Sequence, residues 1–298
     1  MIENDFEIKN LTTFKIGGKI GEVIFPQNIN EMNEILLSRN NDIKVFGNLS
    51  NTLVSSDGYD GTIIITSKMD NFWIESNHFY ADAGWKGPKL AKMALTAGLS
   101  GFEFMIGFPG SLGGNIFMNA SANGQCISDN IVSAICWSQD KGLFELSKDE
   151  MYFDYRHSIF QDSNMVVLGA EFELEEKDET LIQKQMDENL AFRKAHQPSL
   201  SLPNCGSVFR NPEGNSAGKL LDEIGAKEFS VGGARVWENH ANFIINYNNA
   251  TSEDVLNLMY KMYTGVNEKF AIELKPELRY LGNKNEKEVE LCKILDIK

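Results

Sequence analysis

The spacing of apolar residues predicts an α+β protein. Apolar runs of strand length recur through the first half, and they follow one another more often than they alternate with helices. The helices that do interrupt them carry their own start and stop signals. The strand-like runs are GEVIFP at 21–26, IKVFG at 43–47, GTIIIT at 61–66 and HFYADAG at 78–84. One helix reads from Asn30 through EMNEILLS; a second begins near Pro88, continues through LAKMALTAG and stops at Gly98. Within MVVLGAEFELEE, 165–176, a stretch alternates as a half-buried strand does. A polar helix is expected from about Asp178 to His196, ended by Pro198, and it reads as a connector between two domains. Beyond it, a short helix from Ser216 to Ile224 stops at Gly225, and NFIINY at 242–247 is a strand candidate. Thr251 with Asp254 then opens a long amphipathic helix, with Val255, Leu258, Met259, Met262 and Val266 on one face. FAIELKPELRYLG finishes the chain as a strand-like piece followed by a polar tail.

The totals bound the class of function. The chain has 298 residues, 42% hydrophobic and 23% charged, the composition of an ordinary globular protein. Lys+Arg 28 against Asp+Glu 42 leaves a net charge of −14, which argues against nucleic-acid or anionic-membrane binding. A local basic pocket for a small anion remains compatible with that balance. No apolar run approaches the ~18 residues of a membrane span, so membrane insertion is not expected. MIENDFEIKN lacks a basic stretch followed by an apolar one, so no signal peptide is read and a cytoplasmic location is expected. Cys126, Cys136, Cys205 and Cys292 are far apart and read as reduced thiols, mostly buried. The four histidines are equally scattered, and no metal site is expected. There is no internal repeat and no low-complexity segment.

Several segments could carry chemistry. The densest in glycine is GFEFMIGFPGSLGGNIFMNASANG, 101–124, whose Gly107-x-x-Gly110-x-x-Gly113-Gly114 spacing is not that of a Rossmann fingerprint. GNSAGKL at 214–220 is too short in its spacing for a P-loop. FGNLSNTL at 46–53 is a second small-polar turn, directly after an apolar strand. Two such turns could present consecutive backbone N–H groups to phosphates, or could be no more than tight turns. Arg156, in YFDYRHSIF, has the fixed charge and donor fork suited to a carboxylate; alone it is equally a surface packing residue. Glu277, in ELKPEL, is equally an exposed edge residue. Ser207, in NCGSVFRNPEGNSAGKL, has neither a nucleophile elbow nor a basic partner and could simply satisfy a turn.

Taken in order, these segments resemble the UDP-N-acetylenolpyruvoylglucosamine reductases (UDP-N-acetylmuramate dehydrogenases), flavoenzymes of bacterial peptidoglycan precursor synthesis. The resemblance runs from LTTFKIGG at 11–18 to ELRYLG at 277–282. It is carried by G-x-x-S-N-x-L at 47–53, FPGSLGG with MNA at 118–120, and YR-x-S at 155–158. It continues through R-x-x-x-Q-P at 193–198, GSVFRNP at 206–212, SAGKLLDEIG at 216–225 and GGARVWENHANFIIN at 232–246. The chain resembles the compact type, without the extra segment of the longer branch. The implied fold is a vanillyl-alcohol-oxidase-type (PCMH-type) FAD-binding domain of two lobes plus a C-terminal α+β substrate-binding domain. The corresponding boundaries are 1–177 for the FAD-binding domain, with lobes about 1–68 and 69–177, then 178–198 for the connecting helix and 199–298 for the substrate-binding domain with its tail.

The resemblance implies bound FAD, NADPH as co-substrate and a UDP-sugar substrate, UDP-N-acetylglucosamine enolpyruvate; a monomer is expected. The FAD pyrophosphate would be cradled by Gly47, Asn48, Leu49, Ser50 and Asn51 in one turn. Gly107, Pro109, Gly110, Ser111, Gly113 and Gly114 would form the other side, with Asn119 also assigned to the cofactor. Substrate binding falls to Tyr155, Arg193, Gln197, Arg210 and Asn211. In the implied reaction a hydride reaches C3 of the enolpyruvyl group and a proton reaches C2. Arg156 would stabilise the enolate-like carboxylate, with Glu277 as its hydrogen-bonding companion, and Ser207 would be the general acid, its acidity helped by Arg210 or by a water. Two alternatives stand beside this reading: an FAD oxidoreductase of the same fold acting on another substrate, and a non-catalytic nucleotide-sugar-binding paralogue.

The sequence departs from the family pattern at a few positions. Leu49 stands where a glycine is usual, so a shifted turn or weaker FAD affinity is expected. Ser121 and Asn123 replace a glycine and a tyrosine, and Asn115 replaces a small residue. Arg210 and His196 each replace a lysine, the latter making diphosphate binding more pH-sensitive.

Overall fold

The computed structural model describes residues 1–39 and 43–297. The chain divides into two compact units. The first comprises 1–2, 24–48 and 63–193; the second comprises 3–23, 49–62 and 194–298. The helices among the described residues are α1 (Ile29–Ser38), α2 (Gly87–Thr96), α3 (Leu112–Phe117), α4 (Glu179–His196), α5 (Ala217–Glu223), α6 (Ser252–Phe270) and α7 (Glu286–Leu295).

The first unit is built on a five-stranded sheet. Its order is Gly142–Ser147, Ile131–Ser138, Val166–Glu173, His78–Asp82 and Phe72–Glu75, with every neighbouring pair antiparallel. Val166–Glu173 is central and alternates only from Ala170 to Glu173; from Val167 to Ala170 it is buried on both faces, because Val167 and Ala170 join one core and Leu168 another. Phe102 packs edge-on against both Phe79 and Phe172, with ring centroids 5.3 and 5.0 Å away, in the offset geometry that aromatic quadrupoles favour. α2 starts with Pro88 in its first turn and gives way to Gly98 at φ 66, as its Pro-in, Gly-out pattern predicts. α4 joins the same core through Ile182 and Met186, and Asn189 donates to the Glu103 carbonyl at 3.0 Å. A second small core forms where α1 places Met32 and Leu36 against Ile24, Ile64, Met69 and Leu168. Here Lys44–Phe46 pairs in parallel with the end of Tyr59–Ile65.

The second unit centres on α6. Val255, Leu258, Met259, Met262 and Val266 are all fully buried, so the predicted apolar face is the core face. Its capping box is formed by Asp254 N–H donating to Thr251 Oγ1 at 3.1 Å and Thr251 N–H donating to Asp254 Oδ2 at 2.9 Å. The same carboxylate accepts from Gly233 N–H at 3.1 Å, which ties the cap to an antiparallel sheet of Ser230–Val231, Ala234–Val236 and Ile244–Asn246. Of the strand-like piece at the end of the chain, only Arg279–Leu281 is a strand, and it pairs in parallel with Thr52–Val54. The expected polar tail is instead α7, capped by the Asn285 side chain. It buries Glu288, Cys292 and Leu295, and Glu288 accepts from the hydroxyls of Ser252 and Tyr280. Burial, with that carboxylate as acceptor, pushes the Tyr280 phenol up.

Candidate active site

The turn after Lys44–Phe46 is locked against the glycine segment. A Cβ at Gly47 would overlap Ser111 Oγ, and Asn48 Nδ2 donates to the Pro109 carbonyl at 2.9 Å. Leu49 adopts φ 49, the left-handed conformation that glycine takes without cost, while its side chain is 3% exposed. Leucine thus takes here the left-handed conformation that a glycine would supply, with its side chain buried. The N–H groups of Asn48, Leu49, Ser50 and Asn51 donate to no group among the described residues. Consecutive N–H groups around a left-handed residue form a concavity suited to an anion. Ser50 O accepts from Thr13, and Asn51 Nδ2 donates to Glu277 O at 2.9 Å.

The glycine segment is tighter. Ser111, 1% exposed, caps α3 through Oγ, which accepts from Gly114 N–H at 3.3 Å. Leu112 and Gly113 N–H bond to the carbonyls of Trp85 and Ala83, and a Cβ at Gly113 would lie 2.9 Å from Ala83 Cβ. Gly107 lies against the Arg193 side chain and Gly110 against Asn115. Burial holds the Arg193 guanidinium below its ordinary pKa. Within the first unit, Gly47 and Asn48 are held to the glycine segment at Ser111 and Pro109. Asn119 sits at φ 42 and uses both ends of its amide within the protein, Nδ2 to Asp154 O at 2.9 Å and Oδ1 from Ser128 N–H at 3.3 Å.

Arg156 belongs to the first unit and is also left-handed, at φ 54. Its Nη1 donates to Ser121 Oγ at 2.6 Å and its guanidinium lies 5.5 Å from the centre of the half-exposed Tyr155 ring. The other proposed reacting groups lie in the second unit. Ser207 forms a bridge with Phe243, Phe209 with Pro276, and Glu277 N–H donates to Val208 O at 2.9 Å. Arg210 N–H donates to Lys275 O at 2.8 Å, so 207–210 and 275–277 run as antiparallel neighbours. Ser207, Arg210 and Glu277 are brought together in this way. Ser207 Oγ makes no hydrogen bond among the described residues. Burial, and then the Glu277 charge, push the Cys205 thiol up. Asn211 Oδ1 accepts from Ala217 N–H at 3.0 Å at the start of α5. Gln197, in the second unit, is half-buried.

Sequence reasoning missed three residues. Asn242, 3% exposed, copies a strand with its side chain: Oδ1 accepts from Phe209 N–H at 3.0 Å and Nδ2 donates to Phe209 O at 2.8 Å. It thereby fixes the strand that carries Ser207. Arg279 is held below its ordinary pKa by burial and then by the like charge of Arg210. Their spacing in ELRYLG and GSVFRNP was visible, but not their approach. His240 Nδ1 accepts from Asn242 N–H at 3.1 Å, and burial holds its pKa below the ordinary histidine value.

Comparison with known proteins agrees in both halves. A family model described as FAD binding domain matches residues 21–145. One described as UDP-N-acetylenolpyruvoylglucosamine reductase, C-terminal domain, matches residues 197–281. The UDP-N-acetylenolpyruvoylglucosamine reductase of Caldicellulosiruptor saccharolyticus is 41% identical, with 93% of this chain and 91% of that one covered. That of Latilactobacillus sakei is 37% identical over 96% and 95%. The crystal structure of the reductase from Thermus caldophilus superposes with a TM-score of 0.82 at 29% identity, covering 94% of this chain and 99% of that one. The chain belongs to the UDP-N-acetylenolpyruvoylglucosamine reductase family.

Proposed function

We propose that the protein reduces UDP-N-acetylglucosamine enolpyruvate to UDP-N-acetylmuramate with NADPH, through bound FAD, in peptidoglycan precursor synthesis. The observation that carries this reading is the pairing of 207–210 with 275–277, which brings Ser207, Arg210 and Glu277 together inside the segment matching the family's C-terminal domain. Bound FAD supplies hydride transfer, from NADPH to the enolpyruvyl double bond. The residues that would hold it are Gly47, Asn48, Leu49, Ser50 and Asn51, the 107–114 segment and Asn119. Domain boundaries at 1–177, 178–198 and 199–298 belong to the same proposal, as do a monomeric state and a cytoplasmic location. No helix among the described residues is long and apolar enough to cross a membrane.

Each side chain then has a defined task. Arg156 would oppose the charge that grows on the substrate carboxylate, with Glu277 assigned as its hydrogen-bonding companion. Ser207 Oγ–H would give its proton to C2, with Arg210 or a water stabilising the alkoxide left behind. Arg210, with Tyr155, Arg193, Gln197 and Asn211, holds the nucleotide sugar. Anaerobic mixing with NADPH bleaches the flavin, and adding the enolpyruvyl substrate restores its colour. Ser207→Ala is expected to bleach normally and to recover ~10²–10⁴-fold more slowly, the usual contribution of a general acid. Recovery at the parental rate overturns the role of Ser207. Absence of recovery in the parental protein overturns the substrate assignment.

A further inference from the structure

Two departures from the family pattern, Ser121 and Asn123, lie in one short hairpin. It pairs Ser121–Ala122 with Gln125–Cys126, in the register Ala122↔Gln125 and Ser121↔Cys126. The loop is Asn123-Gly124 at φ 53 and 82; both central residues are left-handed, as a two-residue type I′ turn requires. Its far end is tied down by Cys126 N–H donating to Asp129 Oδ2 at 2.8 Å. That register presents Ser121 Oγ to Arg156 Nη1 at 2.6 Å.

Arg156 is fixed from its backbone side as well. Its left-handed φ of 54 lies in a turn closed by reciprocal N–H···O bonds of 3.1 Å between Asp154 and His157. Its carbonyl accepts from Gln161 Nε2 at 2.9 Å, and the same amide nitrogen reaches Phe117 O at 2.9 Å. Asn119 joins this turn to the residues after the hairpin, through Asp154 O and Ser128 N–H. A strained conformation persists only where its surroundings over-determine it, and these bonds do so.

We propose that the 121–126 hairpin positions Arg156 for the substrate carboxylate, with Ser121 as the positioning residue. The proposal rests on the assignment of Arg156 to that carboxylate. A hydroxyl accepts from a guanidinium and brings no charge of its own, so it orients the fork without cancelling the positive charge. A carboxylate at position 121 would cancel that charge, and the glycine usual there would offer no acceptor. Asn123 completes the device, because its tolerance of a left-handed φ sets the register that aims Ser121.

The test is substrate affinity in the holoenzyme with oxidised flavin, read from the change in flavin absorbance on titration, so that no turnover is involved. Ser121→Ala is expected to weaken substrate binding about tenfold, the loss typical of one hydrogen bond to a charged group, and Ser121→Thr to restore it. In an Arg156→Ala background, Ser121→Ala is expected to cost nothing more, because the two groups act as one. A further tenfold loss in that background marks Ser121 as merely structural and overturns the proposal. Parental affinity in Ser121→Ala, with affinity lost in Arg156→Ala, overturns the positioning role alone. Parental affinity in Arg156→Ala overturns the carboxylate assignment and the positioning role together.

Discussion

The turn at 48–51 contains no glycine and leaves four consecutive N–H groups without an acceptor among the described residues. The 107–114 segment contains four glycines and directs the N–H groups of Phe108, Leu112, Gly113 and Gly114 to acceptors within the protein. Glycine here marks close packing, at Gly47 against Ser111 and at Gly113 against Ala83, and not the donors themselves. The donors come from the backbone conformation around Leu49. One segment spends its N–H groups on packing, and the other is the one proposed to meet an anion.

That contrast can be broken most severely at Gly47. A methyl group there overlaps Ser111 Oγ, and overpacking of this kind costs ~3 kcal/mol, about a hundredfold in affinity if the turn is displaced. Gly47→Ala is therefore expected to purify with little flavin, as read from the ratio of flavin to protein absorbance. Adding Ser111→Gly is expected to recover part of it. Leu49→Gly separates backbone from side chain. It relieves about 1–2 kcal/mol of strain but removes a buried leucine worth about 2–5 kcal/mol, so a net loss of stability is expected in denaturant unfolding. FAD affinity should stay at or above the parental value, and a fall would show that the side chain itself shapes the anion site. Gly113→Ala is expected to cost about 1–2 kcal/mol of stability with little change in FAD affinity, because its N–H already serves Ala83.

The smallest effect lies at His240, whose Nδ1 is likewise engaged, by Asn242 N–H. Burial lowers its pKa, with Lys227 and His196 lowering it further and Asp222 opposing them. A histidine with a lowered folded-state pKa contributes stability that is fully present above its unfolded value of 6.5 and is lost as pH falls through the folded value. Unfolding followed from neutral to acid pH is expected to show this loss, and His240→Asn to remove that component. An unchanged profile in the variant would place the acid sensitivity elsewhere.

Periodicity made the α+β class legible, because strand and helix spacing act locally. The face of α6 and its capping box could be read residue by residue. α7 could not, because its buried face is carried by Glu288, Cys292 and Leu295, and a buried carboxylate reads as a solvent-facing one until its partners are known. Within the candidate site, the contacts that give the motifs their geometry join distant positions. The side chain of Asn242 as a surrogate strand, the approach of Arg279 to Arg210, and the bond from Arg156 to Ser121 have no signature in local spacing. Leu49 is a left-handed residue with a buried side chain, a combination that the rule favouring glycine at such positions does not foresee.

The parallel pairing of Thr52–Val54 with Arg279–Leu281 also bears on how the chain is made. Asn51 and Glu277, bonded at the head of this pair, are 226 positions apart. During synthesis every residue of the first unit has been added by Arg193, whereas Thr52–Val54 must wait for Arg279–Leu281. A message stalled between the two would leave Thr52–Val54 without that partner, an open edge of the kind on which aggregation starts.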